Sequence, residues 1–564
     1  MATDPTSGTT GGGTTVLRGA TVVDGTGSPA RKADVVVDGD RIVAVEAPGT
    51  AAVDGAAVVD LDGLVLAPGF VDIHTHYDAQ VLWDPDLTPS CWHGVTTVVI
   101  GNTGYGIAPS RPDERGAIVR TLQNVEGMQA EVLEDGMDSW DFQTFPEYLD
   151  AIERLAPRLN VGALVGHTPL RIFVMGEEDA TTRAATAEEI ADMRALLDEA
   201  LDAGALGLAT SRFPSDLVEG GRPVPSRLAE VDELRDVSLG MAERGRGLVQ
   251  ASLGPDFMVP EAAALSEAIG RPVSWGGLLT ANARTPVQET LAERRRHGGQ
   301  VYLQIACLPG VMQIVLTDPF PFGRVAAFVE IFAVPRGDRA SVYRDQAWRE
   351  RAKEGIEKER DVWLPRWERM TVQETVVHTD IQNGPTIGAL ARERGVDPFD
   401  LICDLALADD LRTRFRIVLA NDDEEELFGL LSEEGTIIGL SDAGAHASQI
   451  CDAGYSSHLL GYWVREKGAL TLEHAVHRLT DEPARAFGIE GRGRIAPGFA
   501  ADLVAFDPDT VGVAGRERVY DLPTGADRIL AYSIGIDSVW VNGTAIRRAG
   551  TDLDDARAGR VLRA

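Results

Sequence analysis

The chain has 564 residues, 44% of them hydrophobic, and a formal net charge of −34. That length exceeds one ordinary core, so more than one domain is expected. The acidic balance argues against binding to a nucleic acid backbone or an anionic membrane, and reads as solubility.

Residues 1–14 lack a basic start and an apolar stretch, and so read as a disordered tail rather than a signal peptide. No apolar run approaches the ~20 residues that span a bilayer. Four cysteines, Cys91, Cys307, Cys403 and Cys451, form no CxxC pair. Neither a disulfide framework nor a structural zinc site is expected, and the cytoplasm is the expected compartment. The only lysines are Lys32, Lys353, Lys358 and Lys467, which leaves few for Schiff-base or carbamylated metal-bridging roles.

Residues 15–66 read as short strands and turns, as in the strand-like run Val16-Leu-Arg-Gly-Ala-Thr-Val-Val23 and its turn Asp24-Gly-Thr-Gly27. The far end repeats this pattern, with strands at 501–506 and 538–541 and an Asn542-Gly543 turn. One small β-domain closed by both termini, 15–66 and 489–564, is therefore expected. Residues 67–488 alternate strand and helix. The strand-like runs are 61–73, 96–101, 160–166, 204–210, 247–251, 271–275, 300–306 and 436–441, with helical stretches such as 186–203, 226–244 and 260–269. Repeated βα units predict an α/β fold with a parallel sheet, and eight predict a (β/α)8 TIM barrel. A doubly wound open sheet is the alternative. Residues 308–430 break the alternation and read as a helical insertion between strands seven and eight. Trp348, Trp363 and Trp367 read as packing for that insertion rather than as a cleft lining.

The chemistry concentrates at strand ends. In Gly69-Phe-Val-Asp-Ile-His-Thr-His-Tyr-Asp78, His74 and His76 are two apart, so an extended strand points both imidazoles to one face, as a metal ion requires. The last strand runs into Ser441-Asp-Ala-Gly-Ala-His446. In a closed barrel strands one and eight are neighbours, so Asp442 would face the two histidines. Two imidazoles and a carboxylate suit Zn²⁺ or a similar ion. Such an ion lowers the pKa of bound water toward ~7, and Asp442 could take that proton and pass it to a leaving group. A helix N-cap is the plainer role for Asp442. His167 ends strand three, where it could bind metal or polarise a substrate carbonyl. Arg171 and Arg212 could hold a substrate carboxylate as a fork, although a loop-shaping salt bridge is the plainer role for each. Asp78 and His446 complete the set of candidate substrate-binding residues. His93, His297, His378, His458, His474 and His477 are given no role.

These residues resemble the amidohydrolase superfamily, in its D-aminoacylase (N-acyl-D-amino-acid deacylase) branch. The marks are Val22-Val-Asp-Gly-Thr-Gly27, the segment from Ala67 through His74 and His76 to Asp78, Gly94-Val-Thr-Thr-Val-Val-Ile-Gly-Asn102, Gly439-Leu-Ser-Asp-Ala-Gly-Ala-His446, Glu482-Pro-Ala-Arg485 and Gly493-Arg-Ile-Ala-Pro-Gly-Phe-Ala-Ala-Asp502. The resemblance covers nearly the whole chain beyond the tail. It implies a metal-dependent barrel with a β-sandwich from both termini, acting on an N-acyl amino acid. Three family ligands are replaced. The Cys after Gly-Asn on strand two is Thr103, the strand-five His is missing from Val249-Gln-Ala-Ser-Leu-Gly254, and the strand-six Ser-His is Ser274-Trp275. The resemblance with these departures implies an enzyme with one Zn²⁺ per chain at His74, His76 and Asp442, completed by His167 or His446. The expected partner is a small-molecule substrate, and a homo-oligomer is possible. Lactam ring opening, ester cleavage, or a binding role on a degenerate site are the alternatives to amide hydrolysis.

Overall fold

The computed structural model describes residues 13–51, 53–218, 221–280, 287–297, 299–323, 325–359 and 365–563. Most of the expected tail and Trp363 lie outside the described residues. Eight parallel strands form one sheet in chain order: β1 (Phe70–Asp72), β2 (Val95–Ile100), β3 (Asn160–Gly166), β4 (Gly207–Thr210), β5 (Leu248–Ser252), β6 (Val273–Gly276), β7 (Val301–Ile305) and β8 (Thr436–Ile438). Almost every residue of these strands is buried, as expected for a parallel sheet covered by helices. The helices between them start and stop as the sequence demands. Ala187–Ala203 opens with a capping box, Thr186 accepting from the Glu189 backbone, and closes at Gly204 with φ of 111°.

Strands from both ends of the chain share a second sheet of nine strands, in which Val65–Pro68 pairs antiparallel with Leu503–Phe506. This divides the run 61–73, which reads as one strand in the sequence. Val65–Pro68 belongs to the terminal sheet and Phe70–Asp72 to the parallel sheet. The switch falls at Gly69, where a Cβ would lie 2.1 Å from Thr96 Oγ1. Only a residue without a side chain lets the chain pass between sheets this close to β2.

The insertion has a hydrophobic core of its own. Trp348 is buried against Phe328, Tyr343 and Phe399 and donates its indole N–H to the Ala327 carbonyl, so it packs rather than lining a cleft. The insertion is not purely helical: Gly310–Ile314, Thr371–Glu374 and Arg414–Ala420 form an antiparallel sheet. Arg518 of the hairpin Gly512–Val519/Arg528–Ile534 reaches Glu374 and Gln313 of that sheet and ties the insertion to the C-terminal part of the chain. Among the described residues no helix is long and apolar enough to cross a membrane, and the four cysteines are buried and unpaired.

The close approach at Gly69 is testable. Gly69→Ala should cost about 1–3 kcal/mol through overpacking against Thr96, read as a lowered thermal midpoint, and Thr96→Gly in the same chain should recover part of it.

Candidate metal centre

The tails of β1 and β8 are laced together. Ser441 Oγ donates to the His74 carbonyl at 3.0 Å, and the His76 N–H donates to the Ala443 carbonyl at 2.7 Å. Thr75 and Ala443 form a parallel bridge. β8 ends at Ile438, and the chain then enters left-handed conformations at Leu440 (φ 60°) and Asp442 (φ 47°). This break turns the Asp442 carboxylate toward β1. The N-cap role for Asp442 does not hold, because no helix begins before Tyr455.

His74 Nε2 lies 3.2 Å and His76 Nε2 3.6 Å from Asp442 Oδ1. Among the described residues these three form the one group of His, Cys, Asp or Glu, three or more in number, with ligand atoms within 4.8 Å of one another. His74 and His76 are 2% and 3% exposed, whereas the Asp442 side chain is 40% exposed. Asp442 also borders a cavity lined by Gln80, Thr88, Ala447 and Arg528. The guanidinium of Arg528 is engaged there by Asp521 and Asp84.

Each imidazole has a partner behind it that the sequence did not announce. His74 Nδ1 is 2.6 Å from Gln304 Oε1 of β7, and Gln304 Nε2 donates to Ser274 Oγ of β6 at 2.8 Å. His76 Nδ1 is 3.5 Å from Glu126 Oε1, which follows the helix Arg115–Val125. A glutamine inside the apolar run 300–306 was the one available signal for Gln304, since an amide in a buried strand needs partners. Glu126 carried no such signal.

The electrostatics favour a cation. Burial pushes Asp72 up to about 7, Glu126 up to about 7 and Asp78 up to about 6. Burial holds His74 down at about 4, so its imidazole is neutral and free to coordinate. Burial also pulls on His76, but the Glu126 charge and the hydrogen bond and charge of Asp442 outweigh it and raise the ring to about 9. Burial opposes ionisation of Asp442 too, yet the hydrogen bond to His76 and the charges of His74 and His76 hold its carboxyl far below the usual range. A divalent ion would displace the proton shared around His76.

Of the remaining candidates, His167, Arg171 and Arg212 fall elsewhere. His167 is fully buried, with Nδ1 3.0 Å from Thr210 Oγ1 and Nε2 3.0 Å from Glu233 Oε1. Arg171 donates to both oxygens of the same Glu233 and to the Arg183 carbonyl. Both ring nitrogens of His167 are thus engaged, and Arg171 has its fork on Glu233. They pin the helices His167–Met175 and Val231–Arg244 together instead of presenting groups to a substrate or an ion. Arg212 is engaged by Asp256 and by the Ser226 and Ala229 carbonyls, the loop-shaping role. Asp78 is buried and accepts the Gly101 N–H at 3.1 Å, which fixes the turn after β2. His446 stands beside the cluster; its backbone N–H donates to the Glu126 carbonyl at 2.6 Å, and burial lowers its ring to about 4.

The three positions of the replaced family ligands carry hydrogen-bonding groups. The Thr103 N–H (φ 56°) donates to Gln250 Oε1 at 2.6 Å, Ser274 holds Gln304, and Trp275 Nε1 donates to the Phe257 carbonyl at 3.3 Å.

The structural role of the Glu233 network has a pH signature. Burial raises the Glu233 carboxyl, but hydrogen bonds and charges from His167 and Arg171 outweigh this and bring it from 4.5 to about 2. Its contribution to stability should be complete above pH 4.5 and lost as pH falls toward 2. Glu233→Gln should therefore lower stability at neutral pH and flatten its fall across that window. Arg171→Met should lower stability by roughly 3–5 kcal/mol without raising KM; a raised KM at unchanged stability would return Arg171 to substrate binding.

A model of the amidohydrolase family matches residues 57–546 of this chain. The chain is 32% identical over 559 residues to the N-acyl-D-aspartate deacylase of Alcaligenes xylosoxydans xylosoxydans, covering 97% of this chain and 94% of that protein. Among solved structures it is similar to a D-aminoacylase described as having a binuclear metal centre with one-metal activation and second-metal attenuation. The TM-score is 0.67 at 28% identity, over 98% of this chain and 99% of that one. The N-acyl-D-glutamate deacylase of Bordetella bronchiseptica, solved with zinc and a phosphonate inhibitor, matches with a TM-score of 0.65 at 28% identity, over 98% of this chain and all of that one. With the histidine pair, Asp442 and this full-length likeness in hand, the chain belongs to the amidohydrolase family.

Proposed function

We propose that this protein is a metal-dependent amidohydrolase that cleaves the amide bond of an N-acyl amino acid, with Asp442 as general base and then general acid. The observation that carries this reading is the convergence of His74 Nε2, His76 Nε2 and Asp442 Oδ1 within 4.8 Å. Two imidazole nitrogens and one carboxylate oxygen are a donor set suited to a borderline-soft divalent ion such as Zn²⁺. Such an ion supplies Lewis acidity toward a carbonyl and acidifies a water.

The chain's own residues do the rest. Asp442, partly exposed and ionised, accepts a proton from the attacking water and returns it to the departing amine nitrogen. His446 lies next to Asp442, where it could meet the substrate. We take the ion to be one per chain, because Thr103 and Ser274-Trp275 stand where the resembling enzymes have ligands and the stretch 249–254 holds no histidine. The same reading treats the eight-stranded sheet as a closed (β/α)8 barrel over 67–488, which the Thr75–Ala443 bridge favours. The terminal sheet then belongs to a β-sandwich formed by 15–66 and 489–564.

The test is a panel of N-acyl-D- and N-acyl-L-amino acids with the chelated and the Zn²⁺-restored protein. Activity should vanish with the ion and return with it. Asp442→Asn should lower kcat by several orders of magnitude while the chain stays folded. Retained turnover in Asp442→Asn, or turnover indifferent to chelation, would contradict the reading. Ligand binding without turnover in the wild type would favour a degenerate binding protein.

A further inference from the structure

Gln304 sits on β7 with no solvent exposure. A buried amide is costly unless both of its ends are used. Here both are: Oε1 faces His74 Nδ1 at 2.6 Å and Nε2 donates to Ser274 Oγ at 2.8 Å. β6 leaves room for this arrangement at Gly276, where a Cβ would stand 2.9 Å from Gln304 Oε1. The amide is thus walled by β6 on one side and joined to the His74 ring on the other. The result is a chain of contacts, Ser274 to Gln304 to His74, running across β6, β7 and β1.

The direction of this chain matters for His74. A carbonyl oxygen at Nδ1 selects the tautomer with the proton on Nδ1, which leaves the Nε2 lone pair facing Asp442. His76 is backed differently, by the Glu126 carboxylate. A neutral acceptor behind His74 adds no further negative charge to a pocket that already buries Asp72, Asp78 and Glu126.

We infer that Gln304, braced by Ser274, is a positioning residue that holds the His74 imidazole in its Nε2-coordinating tautomer and orientation and so sets the ion affinity of the centre. This rests on the reading of His74 as a ligand. The test compares wild type, Gln304→Leu, Gln304→Glu, Ser274→Ala and His74→Ala. The readouts are the Zn²⁺ dissociation constant from competition with a chromophoric chelator and the visible spectrum of the Co²⁺-loaded protein.

Gln304→Leu should bind Zn²⁺ about 10–100-fold more weakly and perturb the Co²⁺ spectrum. Gln304→Glu, which keeps an acceptor at Nδ1 but adds negative charge and loses the donor to Ser274, should bind Zn²⁺ more tightly than Gln304→Leu and short of wild type. Ser274→Ala should weaken binding by a smaller factor, and it carries the test if Gln304→Leu does not fold. Wild-type affinity in Gln304→Leu or Ser274→Ala, while His74→Ala loses the ion, would overturn the inference. Wild-type affinity in His74→Ala would instead overturn the metal-site reading beneath it.

Discussion

The structure depends on the junction between the tails of β1 and β8. Ser441 to the His74 carbonyl and His76 N–H to the Ala443 carbonyl are two hydrogen bonds, yet they join strands separated by more than 360 residues of chain. They bring the edges of the parallel sheet together and, in the same step, set Asp442 against both imidazoles. Left-handed backbone at Leu440 and Asp442 is part of this junction. Such conformations are unfavourable for residues with side chains and persist where the surrounding structure enforces them. The contacts that join the tails of β1 and β8 are therefore the same ones that place Asp442 beside the histidine pair.

The second constraint is charge. Buried carboxyls at Asp72, Asp78 and Glu126 surround a histidine pair and are pushed upward in pKa by their burial. His76 lies between the Glu126 and Asp442 carboxylates, which raise its ring. Isolated buried charges are expensive and are retained where paired or where they bind a metal. The arrangement matches a centre in which a divalent ion exchanges with a proton.

Much of this was legible in the sequence because it follows from periodicity. The two-residue spacing of His74 and His76 gives a shared face, and placing Asp442 after the last of eight strands gives its neighbour. What stayed hidden came from tertiary partners. His167 directly follows β3 and Arg171 lies in the helix that His167 opens, but their carboxylate, Glu233, comes from a helix 62 residues beyond Arg171. No local spacing announces that pairing. The run 61–73 is apolar or small at every position except Asp62 and Asp72, so it reads as one strand, and the change of sheet at Gly69 shows in the contact with Thr96. In the insertion, the strand Arg414–Ala420 carries arginines on alternate residues, Arg414 and Arg416. Here Arg414 pairs with Asp527 of the C-terminal hairpin region, a destination that composition does not reveal.

The replaced positions form a pattern of their own. The Thr103 N–H donates to Gln250, while Ser274 holds Gln304 and through it supports His74. The most direct measurement is a crystal structure of the Zn²⁺-loaded protein with anomalous data at the zinc edge. The account predicts a single ion per chain about 2.0–2.2 Å from His74 Nε2, His76 Nε2 and an Asp442 oxygen. A second ion bound near Thr103 and Gln250, or His74 ligating through Nδ1, would contradict it.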